Sequence, residues 1–169
     1  MSVKKLTYLA MLLAVVTVLS YIESMLPPLP FLPPGVKPGL SNIVVMYCVF
    51  FFGPREGFAL GILKSGFVTL IRAPIAGLMS LSGGLLSVAV LAILAWTFKD
   101  KMSYVALSIC GAIAHNLGQL TAASLLMGTT LTLYYFPVLV ISGIIFGTVT
   151  GITLNALLPV FHRIFKEKK

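Results

Sequence analysis

Long apolar runs dominate this chain, and they decide its class before any motif is considered. Between Leu6 and Leu26 the only charged residue is Glu23, and comparable runs recur as far as Phe161, separated by short polar or Pro- and Gly-rich breaks. A helix needs about 20 consecutive apolar residues to cross a bilayer. Of the 169 residues 59% are hydrophobic and 9% charged, where an ordinary soluble domain has roughly 25% charged. So few charges cannot cover a water-facing surface. The apolar content excludes a disordered chain, and two cysteines are too few for a disulfide scaffold. Six helices would use about 120 residues, which leaves termini and loops but no soluble catalytic domain. The expected fold is an all-α integral membrane protein, a single transmembrane domain over residues 1–169.

The runs place six spans at about 6–26, 40–53, 57–72, 84–98, 103–127 and 133–161. Lys4 and Lys5 ahead of the first run look like the start of a signal peptide. The run is too long for that, however, and no small-x-small site follows, so it reads as a retained first helix. The segment from Pro27 to Gly39 is too rich in proline to be helical. Ala73 to Gly84, rich in Gly, Ser and Pro, is expected to be a loop or a re-entrant piece.

The basic residues give an orientation. With the N-terminus inside, Lys4, Lys5, Arg55, Lys99, Lys101, Arg163, Lys166, Lys168 and Lys169 fall on the cytoplasmic side, against Lys37 and Arg72 outside. That asymmetry follows the positive-inside rule and puts both termini in the cytoplasm. It also accounts for most of the net charge of +8. No basic patch interleaved with aromatics is present, so a nucleic-acid partner is not expected.

Small residues recur at helical spacing: Gly57, Gly61, Ser65 and Thr69 on the third helix, and Gly143, Gly147 and Gly151, continued by Asn155, on the sixth. In lipid such stripes let backbones approach closely, and intramolecular packing is their ordinary role. Ala10 and Ala14 make a similar pair on the first helix, open to packing or to docking of a separate protein.

A few polar groups need another explanation. Lys64 lies inside a span, where a charge is costly unless paired or hydrated. Either it faces an internal cavity or it pairs with Glu23, the one acid in the outer half. Arg72 lies two turns further along the same helix, roughly on one face. Lys37 and Asn42 bracket Pro38-Gly39-Leu40-Ser41. Ser41 or Asn42 is expected to cap the second helix, whose N–H groups and positive dipole end would then point outward. The excess of cations favours an anionic ligand. On the fifth helix, His115 and Gln119 share a face at i, i+4, with Asn116 beside them. An unpaired amide in hydrocarbon costs several kcal/mol, so these groups act as interhelical glue or as ligand contacts. One histidine without a nearby carboxylate or thiol makes no metal site. No nucleotide loop, nucleophile–base pair or cofactor motif is present, so no catalytic residues are assigned.

Together these residues resemble a known family. Six short spans, the Ala10/Ala14 pair and outer-side polar groups look like the substrate-binding S components of energy-coupling factor transporters. Val36-Lys37-Pro38-Gly39-Leu40-Ser41-Asn42, Lys64 and His115-Asn116-Leu117-Gly118-Gln119 resemble the Gx transporter family, often labelled heptaprenyl diphosphate synthase component I. The resemblance implies a multi-pass protein of the bacterial cytoplasmic membrane that binds a small anionic or amphipathic substrate. Lys37, Asn42 and Arg72 would stand at the mouth, with Lys64, His115, Asn116 and Gln119 in the depth. It further implies a transmembrane coupling protein, met by Ala10 and Ala14, and two ATPase subunits. The synthase label conflicts with the residues: a prenyl synthase holds Mg²⁺ with Asp-rich motifs, and this chain has one aspartate, Asp100. Two alternatives remain: a non-catalytic membrane subunit linked to prenyl diphosphate or quinone biosynthesis, and a scaffold of a membrane redox or flavin assembly.

Overall fold

A computed structural model describes residues 3–27, 39–98, 101–128 and 134–166. They form six helices: α1 (Val3–Met25), α2 (Leu40–Phe52), α3 (Pro54–Ile71), α4 (Pro74–Phe98), α5 (Tyr104–Met127) and α6 (Phe136–Lys166). Their limits follow local chemistry. Pro54 and Pro74 stand in the first turns of α3 and α4, where a missing N–H costs nothing. Gly53, at φ 106°, turns α2 directly into α3. The Ser103 hydroxyl accepts from the Ala106 N–H at 3.2 Å and caps α5.

The expected loop over Ala73–Gly84 is instead the first half of α4. Its glycines are contact points rather than breaks. A Cβ on Gly77 would meet the Thr69 hydroxyl at 1.8 Å, and one on Gly83 the His115 carbonyl at 2.7 Å. Glycine lets α4 lie against α3 and α5 at backbone distance, the preferred packing in lipid.

Helices α3 to α6 pack in sequence order, each against the next, while α1 and α2 pack together on α3. The second helix also touches α4 and α6 and is the most enclosed, with Ser41 and every residue from Val44 to Val49 buried. Its 13 residues span about 20 Å, less than a bilayer core. Surrounded by other helices, it ends among protein groups rather than in lipid. The principal core gathers on it, with Leu12 and Val16 of α1, Leu60 of α3, Val88 and Leu91 of α4, Leu107 of α5 and Leu154 of α6.

Outside, the bundle is apolar: Leu70, Trp96 and Leu125 are 85%, 82% and 78% exposed. Helices α1, α4, α5 and residues 136–159 of α6 are long and apolar enough to cross a membrane. The chain is a membrane-spanning helical bundle.

The stripe on α6 packs as expected. Gly143 meets Ile113, Gly147 meets Ile109, and Gly151 meets Val105, all on α5. Asn155 does not continue it, because its side chain is exposed. On α3 the stripe splits: Gly57 meets Val49 of α2, Thr69 meets Gly77 of α4, and Gly61 has open space.

Candidate ligand-binding site

Glu23 organises the α1–α2 corner. It is buried on the same face of α1 as Ser20. Its carboxylate accepts the Leu40 N–H and, at 2.7 Å, the Ser41 hydroxyl. Neither Ser41 nor Asn42 caps α2 as expected. Gly39, at φ 81°, takes the cap position without a side-chain bond, and the carboxylate arrives from another helix. The start of α2 is therefore not left bare for an external anion. A negative group already occupies the positive end of the dipole.

This changes the position of Lys64. Among the described residues the one ion pair joins Lys5 to Glu56, so Lys64 does not pair directly with Glu23. The buried ammonium donates instead to Asn42 Oδ1. The two buried charges thus have separate hydrogen-bond partners, and Lys64 keeps further N–H donors.

Lys64 and Glu23 line a cavity of about 40 Å³, together with Ser20, Ser41, His115 and Gln119. Arg72 stands at its edge with an exposed side chain. His115 Nδ1 and Gln119 Oε1 are buried without a hydrogen-bond partner. Buried polar atoms are rarely left so, and two on one cavity wall mark a place where a further group is accommodated. A smaller cavity of about 20 Å³ lies on the other side of His115, lined by Asn42, Asn116, Ser142 and Thr150.

The fifth helix divides its polar residues between roles. Asn116 donates to the Leu139 carbonyl at 2.8 Å and to the Ser142 hydroxyl at 3.2 Å. It ties α5 to α6 while edging the smaller cavity. His115 and Gln119 face α4, across Gly83. That crossing is close: a Cβ on Gly118 would lie 2.7 Å from the Gly83 Cα, and Ser82 donates to the Gly118 carbonyl at 2.8 Å. The glycines bring the imidazole and the amide to the cavity wall.

The structure brings together Asn42, Lys64, Arg72, His115, Asn116 and Gln119 around these two cavities. Lys37 lies outside the described residues. Ala10 and Ala14 are exposed on α1. Ala10 borders a groove of about 420 Å³ between α1 and α3 that ends at Arg55 and Glu56. No group of three or more metal-ligating side chains occurs among the described residues.

The comparisons with known proteins fit this arrangement. The model of the family described as "Heptaprenyl diphosphate synthase component I" matches residues 12–157. The chain belongs to this family. A solved structure described as "Structure and mechanism of the S component of a bacterial ECF transporter" is similar over 98% of both chains, at 26% identity and a TM-score of 0.59. The bundle is S-component-like. No curated protein sequence matches.

Ser20, Ser80 and the role of Glu23 are not apparent from the sequence. Ser20 and Glu23 stand at i, i+3, which puts them on one face of α1, and that spacing was the available signal. Ser80 fell in the segment expected to be a loop. It lies in α4, with its hydroxyl 3.4 Å from that of Ser65.

Proposed function

We propose that this protein is the substrate-binding, non-catalytic membrane component of an energy-coupling factor type uptake transporter in a bacterial plasma membrane. Its ligand is a small anionic or amphipathic molecule that arrives from the outer side. One observation carries the reading: a polar cavity with Lys64 on its wall, held by a neutral partner, beside the unpartnered His115 Nδ1 and Gln119 Oε1. A charge and two polar atoms kept in a membrane interior are costly to maintain without use. The likeness to an S component supports the same role. In this setting all six helices cross the membrane and both termini are cytoplasmic, in keeping with the nine inner against two outer basic residues. Lys37 and Arg72 then belong to the outer mouth.

The exposed Ala10 and Ala14, with the apolar groove beside Ala10, suit a transmembrane coupling protein that acts with two ATPase subunits. Small side chains on a lipid-facing helix admit a second helix closely.

Ligand binding and uptake by Lys64→Met and Arg72→Ala variants test the site. Both are expected to weaken binding, Lys64→Met the more, and unchanged affinity in both would sink the charged pocket. Ala10→Trp and Ala14→Trp test the partner by copurification with a coupling protein. The family's description supports a second reading, a membrane subunit of a prenyl synthase. With Asp100 as its one aspartate, the chain would be non-catalytic there too. Copurification with a soluble Asp-rich synthase, and no association with a coupling protein, would favour that reading.

A further inference from the structure

The polar cavity is small, and its size constrains the ligand. At about 40 Å³ it has room for a few atoms, where ligand sites generally enclose about 300–1,000 Å³. A second cavity, of ligand size, lies close to it. Between α1 and α6, with α2 as its floor, runs a cleft of about 360 Å³ lined by Met11, Val15, Leu19, Leu40, Ile43 and Leu157, among others. Its walls are almost wholly apolar. From Tyr8 to Leu19 it follows α1 over twelve residues, about 16 Å of helix. Both α1 and α6 are long enough to cross the membrane, so the cleft lies at the depth of the hydrocarbon.

The two cavities flank the start of α2. Gly39 and Ser41 line the polar one, and Leu40, between them, lines the cleft. On α1, Leu19 faces the cleft and Ser20 the polar cavity. The bond from the Leu40 N–H to Glu23 stands at this point. A polar group bound at Lys64 and Gln119 thus has a long apolar slot beside it.

We propose that the ligand is a single-chain amphiphile. Its polar group sits between Lys64 and Gln119, and its hydrocarbon chain lies in the α1–α6 cleft. The polar group accepts from Lys64 and donates to Gln119 Oε1, so it carries both an anionic oxygen and a hydroxyl or amine proton. This inference rests on the substrate-binding role proposed above and narrows the class of substrate.

The test uses the full chain in nanodiscs and four probes: dodecyl phosphate, butyl phosphate, inorganic phosphate and dodecanol. Binding is followed by the thermal unfolding midpoint at increasing probe concentration. Dodecyl phosphate is expected to bind at least tenfold more tightly than butyl phosphate, while dodecanol gives little shift. Ile43→Trp and Thr153→Trp, which narrow the cleft from half-buried positions on its walls, are expected to abolish the dodecyl advantage and leave butyl phosphate binding unchanged. Equal affinity for dodecyl and butyl phosphate, with both lost in Lys64→Met, would overturn the chain-binding proposal and leave the substrate-binding role standing. A dodecanol shift as large as that of dodecyl phosphate would also overturn it, by showing a cleft that takes any bilayer hydrocarbon. So would a wild-type protein that dodecyl phosphate does not shift. Butyl phosphate binding indifferent to Lys64→Met would instead count against the charged pocket itself.

Discussion

Glu23 and Glu56 are treated oppositely by the fold. Glu56, in the polar turn ahead of the span at 57–72, is bonded to Lys5 in a partly exposed pair. That bond holds its carboxyl below the usual value. Glu23, buried beside the polar cavity, forms no ion pair among the described residues; it shares that cavity with Lys64 and hydrogen-bonds the backbone and hydroxyl at the start of α2. The consequence falls on Lys64, which has an amide for a partner instead of a carboxylate. A direct ion pair closes a charge off, whereas an ammonium hydrogen-bonded to an amide keeps further N–H donors for a third party. The Lys5–Glu56 end of the bundle is anchored by an ion pair, and the end around Lys64 is not.

Substitutions at three positions can break this contrast. The largest effect is expected for Glu23→Ala, which leaves the Leu40 N–H and Ser41 hydroxyl without their acceptor. Two bonds to a charged group correspond to about 3 kcal/mol, read as a lower unfolding midpoint in nanodiscs, with Glu23→Gln in between. A neutral outcome would mean that α2 does not depend on this carboxylate. Asn42→Leu comes next, at about 2 kcal/mol for one bond to an ammonium. It should also loosen ligand binding, because Lys64 loses its positioning. Lys5→Ala should cost the least, under about 1 kcal/mol, as exposed pairs do. Its signature is in the pH dependence. With the carboxyl pKa lowered in the folded state, the pair stabilises above the unfolded carboxylate range and its contribution disappears as pH falls through the folded value. The wild type should lose that increment on acidification and Lys5→Ala should not.

The fold was largely legible because hydropathy and the small-residue stripes report on helices directly. The main failure, over Ala73–Gly84, has a simple cause. Gly77 and Gly83 punctuate a chain in water, but between helices in lipid they mark where backbones touch. The site was legible as a set of residue types and not as a set of partners. His115, Asn116 and Gln119 were visible as polar groups on one stretch of helix. Spacing alone could not show that Asn116 bonds α6 while His115 Nδ1 and Gln119 Oε1 stand without partners on a cavity wall. The sequence leaves Glu23 open as one of two explanations for Lys64, because Coulomb attraction favours opposite charges. The start of a buried helix competes for the same carboxylate, and here it prevails.

The most direct measurement is an experimental structure of the protein purified from its own membrane with whatever small molecule it retains. Ligand density is expected within hydrogen-bond distance of Lys64 Nζ and Gln119 Oε1, with the Glu23 bonds to Leu40 and Ser41 intact. A retained ligand elsewhere, with Lys64 turned onto Glu23 as a closed ion pair, would contradict it.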